Sequence, residues 1–271
     1  MKKYLNIKKV LLGASLVAVV GFTTLPVLAS VTLTPTLVII EGRNRYADVS
    51  LINTSNEPGN YEVSWVFHKM DENTGFYQNV DKSLTDFDLT QHLALTPKRV
   101  ALGAQAVQKV RMGLRLKDGP PPPGDYRAHL QFREIPQDAP AANETQKGVK
   151  VGVKVNVGFS IPVVYRVGES DATGTIGDVR TEINQKLGKI AVVVPITRSE
   201  SAYGLLGELV IYYKDDVVGR IRNANIFTEI RRRDFRVPLN INQLSGGNLR
   251  IVYKAFKKDI VFAERIVSVG Q

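Results

Sequence analysis

The chain contains no cysteine, one tryptophan, three methionines and three histidines in 271 residues. Without cysteine there is neither a disulfide scaffold nor a thiol nucleophile, so stability must come from hydrophobic cores. His68, His92 and His129 lie far apart and match no metal-ligand spacing. Gly-x-Ser-x-Gly, Gly-x-Gly-x-x-Gly and phosphate-loop patterns are missing too. The acidic pairs Asp71 with Glu72 and Asp86 with Asp88 sit in loop-like stretches and read as solvated. These absences argue against an enzyme, and no catalytic residue, metal ligand or cofactor site is assigned. Also lacking, after the first thirty residues, is any long apolar stripe of helical period.

What is present begins with a leader. Lys2, Lys3, Lys8 and Lys9 precede an apolar stretch over residues 10–22, and no acidic residue occurs before position 30. Pro26 and the small residues around Val27 and Ala29 complete the layout of a secretory signal peptide, with cleavage expected after Ala29. The apolar stretch falls short of the roughly 20 residues a spanning helix needs. Four lysines leave with this segment, so the formal net charge falls from +10 to +6. No interleaving of basic and aromatic residues suggests nucleic-acid binding. Arg231, Arg232 and Arg233 form the sharpest basic run, but Asp234 follows at once, which suits a solvated strand end.

Short alternating or β-branched segments cover 31–40, 46–52, 61–67, 107–116 and 126–132, separated by turn clusters such as 53–59 and 117–124. Strands at this spacing read as an immunoglobulin-like sandwich, with Trp65 as its core tryptophan. A turn-rich connection spans 167–177, after which strand-like segments resume at 189–196, 208–213, 217–221, 235–239, 249–256 and 260–267. Residues 77–89 and 226–230 carry no clear pattern. The expected organisation is all-β: a signal peptide over 1–29, an immunoglobulin-like domain over 30–167 and a second β-sandwich over 168–271. On the strand 126–132, His129 is expected to face outward or to be hydrogen-bonded.

The most informative segment is 149–163. Val149, Val151, Val153, Val155, Val157, Phe159, Ile161 and Val163 are all apolar, and polar residues, glycine or proline occupy the positions between. One face of the strand is therefore wholly apolar. A run of 15 residues is far longer than the usual strand of about 5 to 6, and a domain of this size cannot cover all eight positions. At a sheet edge such a strand is a hazard unless a partner pairs with it. Pro162 lacks a donor and weakens pairing at that end.

Several of these segments resemble, in order, those of the periplasmic pilus-assembly chaperones of the chaperone–usher pathway. The similar pieces are Leu95 to Val100 followed by Gly103 and Val110-Arg111, then Phe132-Arg-Glu-Ile-Pro136, then the long strand closing on Val164-Tyr-Arg166. The resemblance covers residues 31–166 and is thin beyond. It implies two immunoglobulin-like domains and a donated strand whose apolar residues, Val149, Val151, Val153, Val155, Val157, Phe159 and Ile161, complete a pilus or fimbrial subunit with an incomplete fold. It also implies a periplasmic location and an outer-membrane usher as a further partner. Asp125 and Arg166 match an acid and an arginine that lock the domains together, with Asp259 a candidate third member. The two basic residues that hold the subunit's terminal carboxylate match Leu37 and Pro162, neither of which can do so. The anchor then falls to Arg43, Arg45 or Lys154, or is dispensed with. The competing reading is an exported two-domain structural or adhesive protein without chaperone activity.

Overall fold

The structure, a computed structural model, describes residues 31–72, 75, 77–79, 88–117, 119–135, 158–184 and 189–269. The expected signal peptide and positions 149–157 of the expected alternating strand lie outside these. Among the described residues no helix is long and apolar enough to cross a membrane.

Alternation builds the first sandwich. Its strands are β1 (Val31–Thr34), β2 (Val38–Glu41), β3 (Tyr46–Asn53), β4 (Gly59–Val66), β5 (His68–Met70), β6 (Tyr77–Asn79), β7 (Leu93–Thr96), β8 (Arg99–Leu102), β9 (Val107–Leu114), β10 (Gly124–Glu134) and β11 (Gly158–Val167). One sheet runs β1-β3-β9-β7 and the facing one β2-β11-β10-β4-β8, while β5 and β6 form a separate hairpin. Val49 and Leu51 of β3, Val110 and Met112 of β9, Leu130 and Phe132 of β10 and Val163 of β11 fill the space between the sheets. The segment 31–40, expected as one strand, is two. Pro35 interrupts it, and the chain changes from one sheet to the other there. Two sheets packed face to face with the first strand divided between them make an immunoglobulin-like sandwich.

The second sandwich repeats the plan with β12 (Gly174–Ile176), β13 (Arg180–Asn184), β14 (Lys189–Arg198), β15 (Gly207–Tyr213), β16 (Asp216–Ile221), β17 (Arg232–Pro238), β18 (Asn248–Ala255) and β19 (Val261–Ser268). β14 pairs with β12 and β13 along one side and β17 along the other. The opposing sheet runs β16-β15-β18-β19. The expected turn-rich connection over 167–177 thus contains a strand, β12, too short and polar to announce itself by alternation.

The two cores meet. Leu37, Met70 and Val164, all from the first sandwich, are buried in the hydrophobic cluster of the second. On β11, Ile161, Val163 and Tyr165 face the first core while Val164 turns to the second, so one strand contributes to both.

Candidate functional site

The two ends of β11 are held differently. Its whole length pairs antiparallel with β10, from Gly158 opposite Arg133 to Val167 opposite Gly124. Its other flank pairs with β2 only at Val163, Val164, Tyr165 and Arg166. Among the described residues nothing pairs on that flank from Gly158 to Pro162, and the alternating valines lead directly into this open half.

Which main-chain groups face the gap follows from the ladder. The Arg127 carbonyl accepts a hydrogen bond from the Leu89 N–H at 2.9 Å, on the flank of β10 that β11 does not occupy. Groups alternate along an antiparallel strand, so His129 points the same way. Pro162, opposite His129, therefore faces away from β10, and its missing N–H costs that ladder nothing. By the same alternation, the main chains of Ser160 and Gly158 face the open edge.

The other end of β11 is locked to the second sandwich. Arg166 donates to Asp125 through Nε and Nη2 at 2.7 and 2.6 Å, a bidentate fork. Arg166 Nη2 also donates to the Gly204 carbonyl at 3.0 Å, and the Gly204 N–H donates to Asp125 at 2.9 Å. The Asp125 N–H bonds the Ala202 carbonyl, and the Tyr203 hydroxyl donates to the Val167 carbonyl. The side chains of Arg166 and Asp125 are only 10% and 6% exposed. Burial alone would lower the Arg166 pKa, but the hydrogen bonds to the Asp125 carboxylate and its charge outweigh it and raise the value.

A second buried ion pair lies alongside, and nothing in the sequence pattern pointed to it. Along β10, Tyr126, Ala128, Leu130 and Phe132 face the first core, so Asp125, Arg127 and His129 project from the opposite face. Arg127 is 3% exposed; it forks onto Glu229 of the second sandwich, donates to the His68 carbonyl at 2.8 Å, and lies 3.8 Å from the Phe227 ring centre. The β5–β6 hairpin reaches the same place, where the Met70 N–H donates to Glu229 at 2.9 Å. The unassigned segments 77–89 and 226–230 thus supply part of this hairpin and the loop it meets. His129 is fully buried and its Nδ1 accepts the His68 N–H at 3.3 Å. Burial, then Arg127 and His68, push its pKa down to about 2.

Several expected residues are placed differently from the expectation. Asp259 is exposed, and main-chain groups of Ala202 and Gly204 complete the lock instead. Leu37 and Pro162 are both buried, Leu37 in the second core. Arg43 and Arg45 are exposed between β2 and β3, and Lys154 lies outside the described residues. Trp65 is half-buried and packs against the first core from its margin. Arg233 is half-buried and donates to the Asn225 carbonyl at 2.9 Å, so the basic run is not wholly solvated. Glu72 accepts from the Arg231 N–H and Asp88 from the Thr90 N–H, so each carboxylate has a structural partner. A cleft of about 320 Å³ opens between the sandwiches, lined by Leu37 just before β2, Ile39 of β2, Asp48, and Phe256, Lys257 and Lys258 from the β18–β19 turn. Lys258 bonds Glu41 across it at 2.9 Å. These lysines carried no sequence signal, because only the tertiary fold brings their turn to β2. Among the described residues no cluster of acidic or histidine side chains is placed to hold a metal.

No protein-family model and no curated protein matches the chain. Solved structures do resemble it at low identity. A chain of the CsuC–CsuE chaperone–tip adhesion subunit pre-assembly complex from the archaic chaperone-usher Csu pili of Acinetobacter baumannii is 13% identical, covering 89% of this chain and 98% of that one, with a TM-score of 0.44. The CupB2 chaperone of Pseudomonas aeruginosa is 10% identical over 88% and 98%, with a TM-score of 0.44. The E. coli chaperone DraB is 14% identical over 89% and 96%, with a TM-score of 0.42.

Proposed function

We propose that this protein is an exported, periplasmic assembly chaperone that caps an incomplete immunoglobulin-like pilus or fimbrial subunit by lending it a strand. The observation that carries the reading is the open flank of β11 at Gly158 to Pro162, continuous with the valine run that precedes it. Strand addition there would supply main-chain hydrogen bonds, while Val149, Val151, Val153, Val155 and Val157 fill the partner's vacant core positions. At about 1.5 to 3 kcal/mol per buried side chain, five valines contribute on the order of 10 kcal/mol before the cost of association. The process is burial, with no bond made or broken. A terminal carboxylate of the subunit would meet Lys257 and Lys258 in the cleft, where Leu37 offers no charge. An outer-membrane usher is the further partner of this reading.

The test is co-expression with short exported β-rich proteins encoded beside this one. The mature protein should purify one-to-one with a subunit that lacks its last strand. Val153→Asp with Val155→Asp should abolish the complex and leave unfolding of the free protein unchanged. A double variant that binds as the parent does, or that no longer folds, would sink the donated-strand reading and favour the structural or adhesive alternative.

A further inference from the structure

Arg198, at the end of β14, is 3% exposed and, among the described residues, pairs with no carboxylate. Its guanidinium is spent on main-chain carbonyls: Ser199 at 3.0 Å, Ser201 at 2.7 Å and Tyr203 at 3.1 Å through Nη1, Thr228 at 3.1 Å through Nη2, and Ile230 at 3.4 Å through Nε. A buried cation held by carbonyl dipoles alone is costly to desolvate. Its desolvation, with Arg231 adding repulsion, depresses the Arg198 pKa.

The acceptors alternate with the groups that cross to the first sandwich. In the first loop, the carbonyls of Ser201 and Tyr203 turn in to Arg198, while those of Ala202 and Gly204 turn out to the Asp125 N–H and the Arg166 guanidinium. In the second, the carbonyls of Thr228 and Ile230 turn in, and the Glu229 carboxylate between them turns out to Arg127 and the Met70 N–H. One guanidinium thus holds both loops that carry the two interdomain locks, and it contacts neither lock itself.

We propose that Arg198 is the positioning residue that fixes the second sandwich against the first, acting only through these two loops. The proposal is independent of the chaperone reading. It predicts a selective effect: contacts across the boundary loosen while both cores stay packed.

Amide hydrogen exchange on the full mature chain reads this directly, because the N–H groups of Asp125, Gly204 and Met70 cross the boundary within the two locks. In Arg198→Met these should exchange on the order of tenfold faster. The core amides of Leu130, Val192 and Ile211 should stay within about threefold of the parent, the small spread expected of a core left intact. Small-angle scattering should show a broadened interdomain arrangement. If the crossing amides keep their protection, Arg198 does not position the loops. If crossing and core amides accelerate together, it merely stabilises the second sandwich, and the proposal is equally overturned. Should Arg198→Met fail to fold, Arg198→Lys decides: a single ammonium cannot span both loops. At least one set, Asp125 with Gly204 or Met70, must then lose protection, and retention of both overturns the proposal.

Discussion

The two halves of β11 are one strand under opposite constraints. From Val163 to Val167 it is paired on both flanks for most of its length, buried against two cores, and pinned by the Arg166 fork. From Gly158 to Pro162 it has, among the described residues, a neighbour on one flank only, with Gly158 and Ser160 exposed. An edge can be left open safely when the strand behind it cannot shift register. The lock therefore matters to the open half: it holds the strand still so that its free flank presents a defined set of donors and acceptors.

This contrast can be broken from either side. The largest effect is expected beyond the open half, where Val153→Asp with Val155→Asp should weaken subunit binding by more than about a thousandfold, since two of the five buried apolar groups become charges. Chemical denaturation of the free protein should not move. At the locked half, Arg166→Met leaves the Asp125 carboxylate buried without its partner and should cost about 3–5 kcal/mol in urea unfolding. An exposed pair would cost under about 1 kcal/mol, so a small loss would contradict the buried geometry.

A pH titration probes the same interface through His129. Its native pKa is pushed down to about 2 from an ordinary 6.5. The unfolded chain therefore takes up a proton near pH 6.5 that the native state refuses, and stability falls as pH drops through that value. The expected slope is about 1.4 kcal/mol per pH unit from this group between roughly pH 6 and pH 3. His129→Gln should flatten the profile there by that amount; an unchanged slope would show that His129 is not buried neutral. In the cleft, Lys257→Glu should weaken capture of a subunit's carboxylate end by about 1 kcal/mol or more, with an intact complex at low salt as the contrary result. The smallest effect should come from Ser160→Pro. It removes one donor from the open flank, so stability should change by under about 1 kcal/mol while the subunit dissociates a few-fold faster. A large loss of stability would mean that the Ser160 N–H faces β10 after all.

The fold class was legible because alternation is a local signal: each of Val49, Leu51, Val110, Met112, Leu130 and Phe132 announces its inward face from its immediate neighbours. Breaks in the pattern were less readable. Pro35 splits the first strand, and β12, with only Ile176 buried, is too short to alternate visibly. Asp125 and Arg166 could be named only because the segments around them resemble a known family. Arg127 and Glu229, 102 positions apart, sit in no motif, and Arg198 reads as an ordinary strand-end arginine. The exposed Asp259 shows the limit of placing a partner by type and approximate position.

The sequence by itself determined the all-β character, the absence of thiol chemistry and the alternation of apolar residues over 149–163, since each depends only on residue type and period. Tertiary structure alone decided which flank of β11 is left unpaired among the described residues, because pairing is a relation between distant segments: β2 covers Val163 to Arg166 and stops. It also decided that Leu37, Met70 and Val164 belong to the second core and that three buried arginines, Arg127, Arg166 and Arg198, organise the boundary. A buried charge is tolerated only where its partners converge, and convergence from β10, β11 and two distant loops is a property of the folded chain.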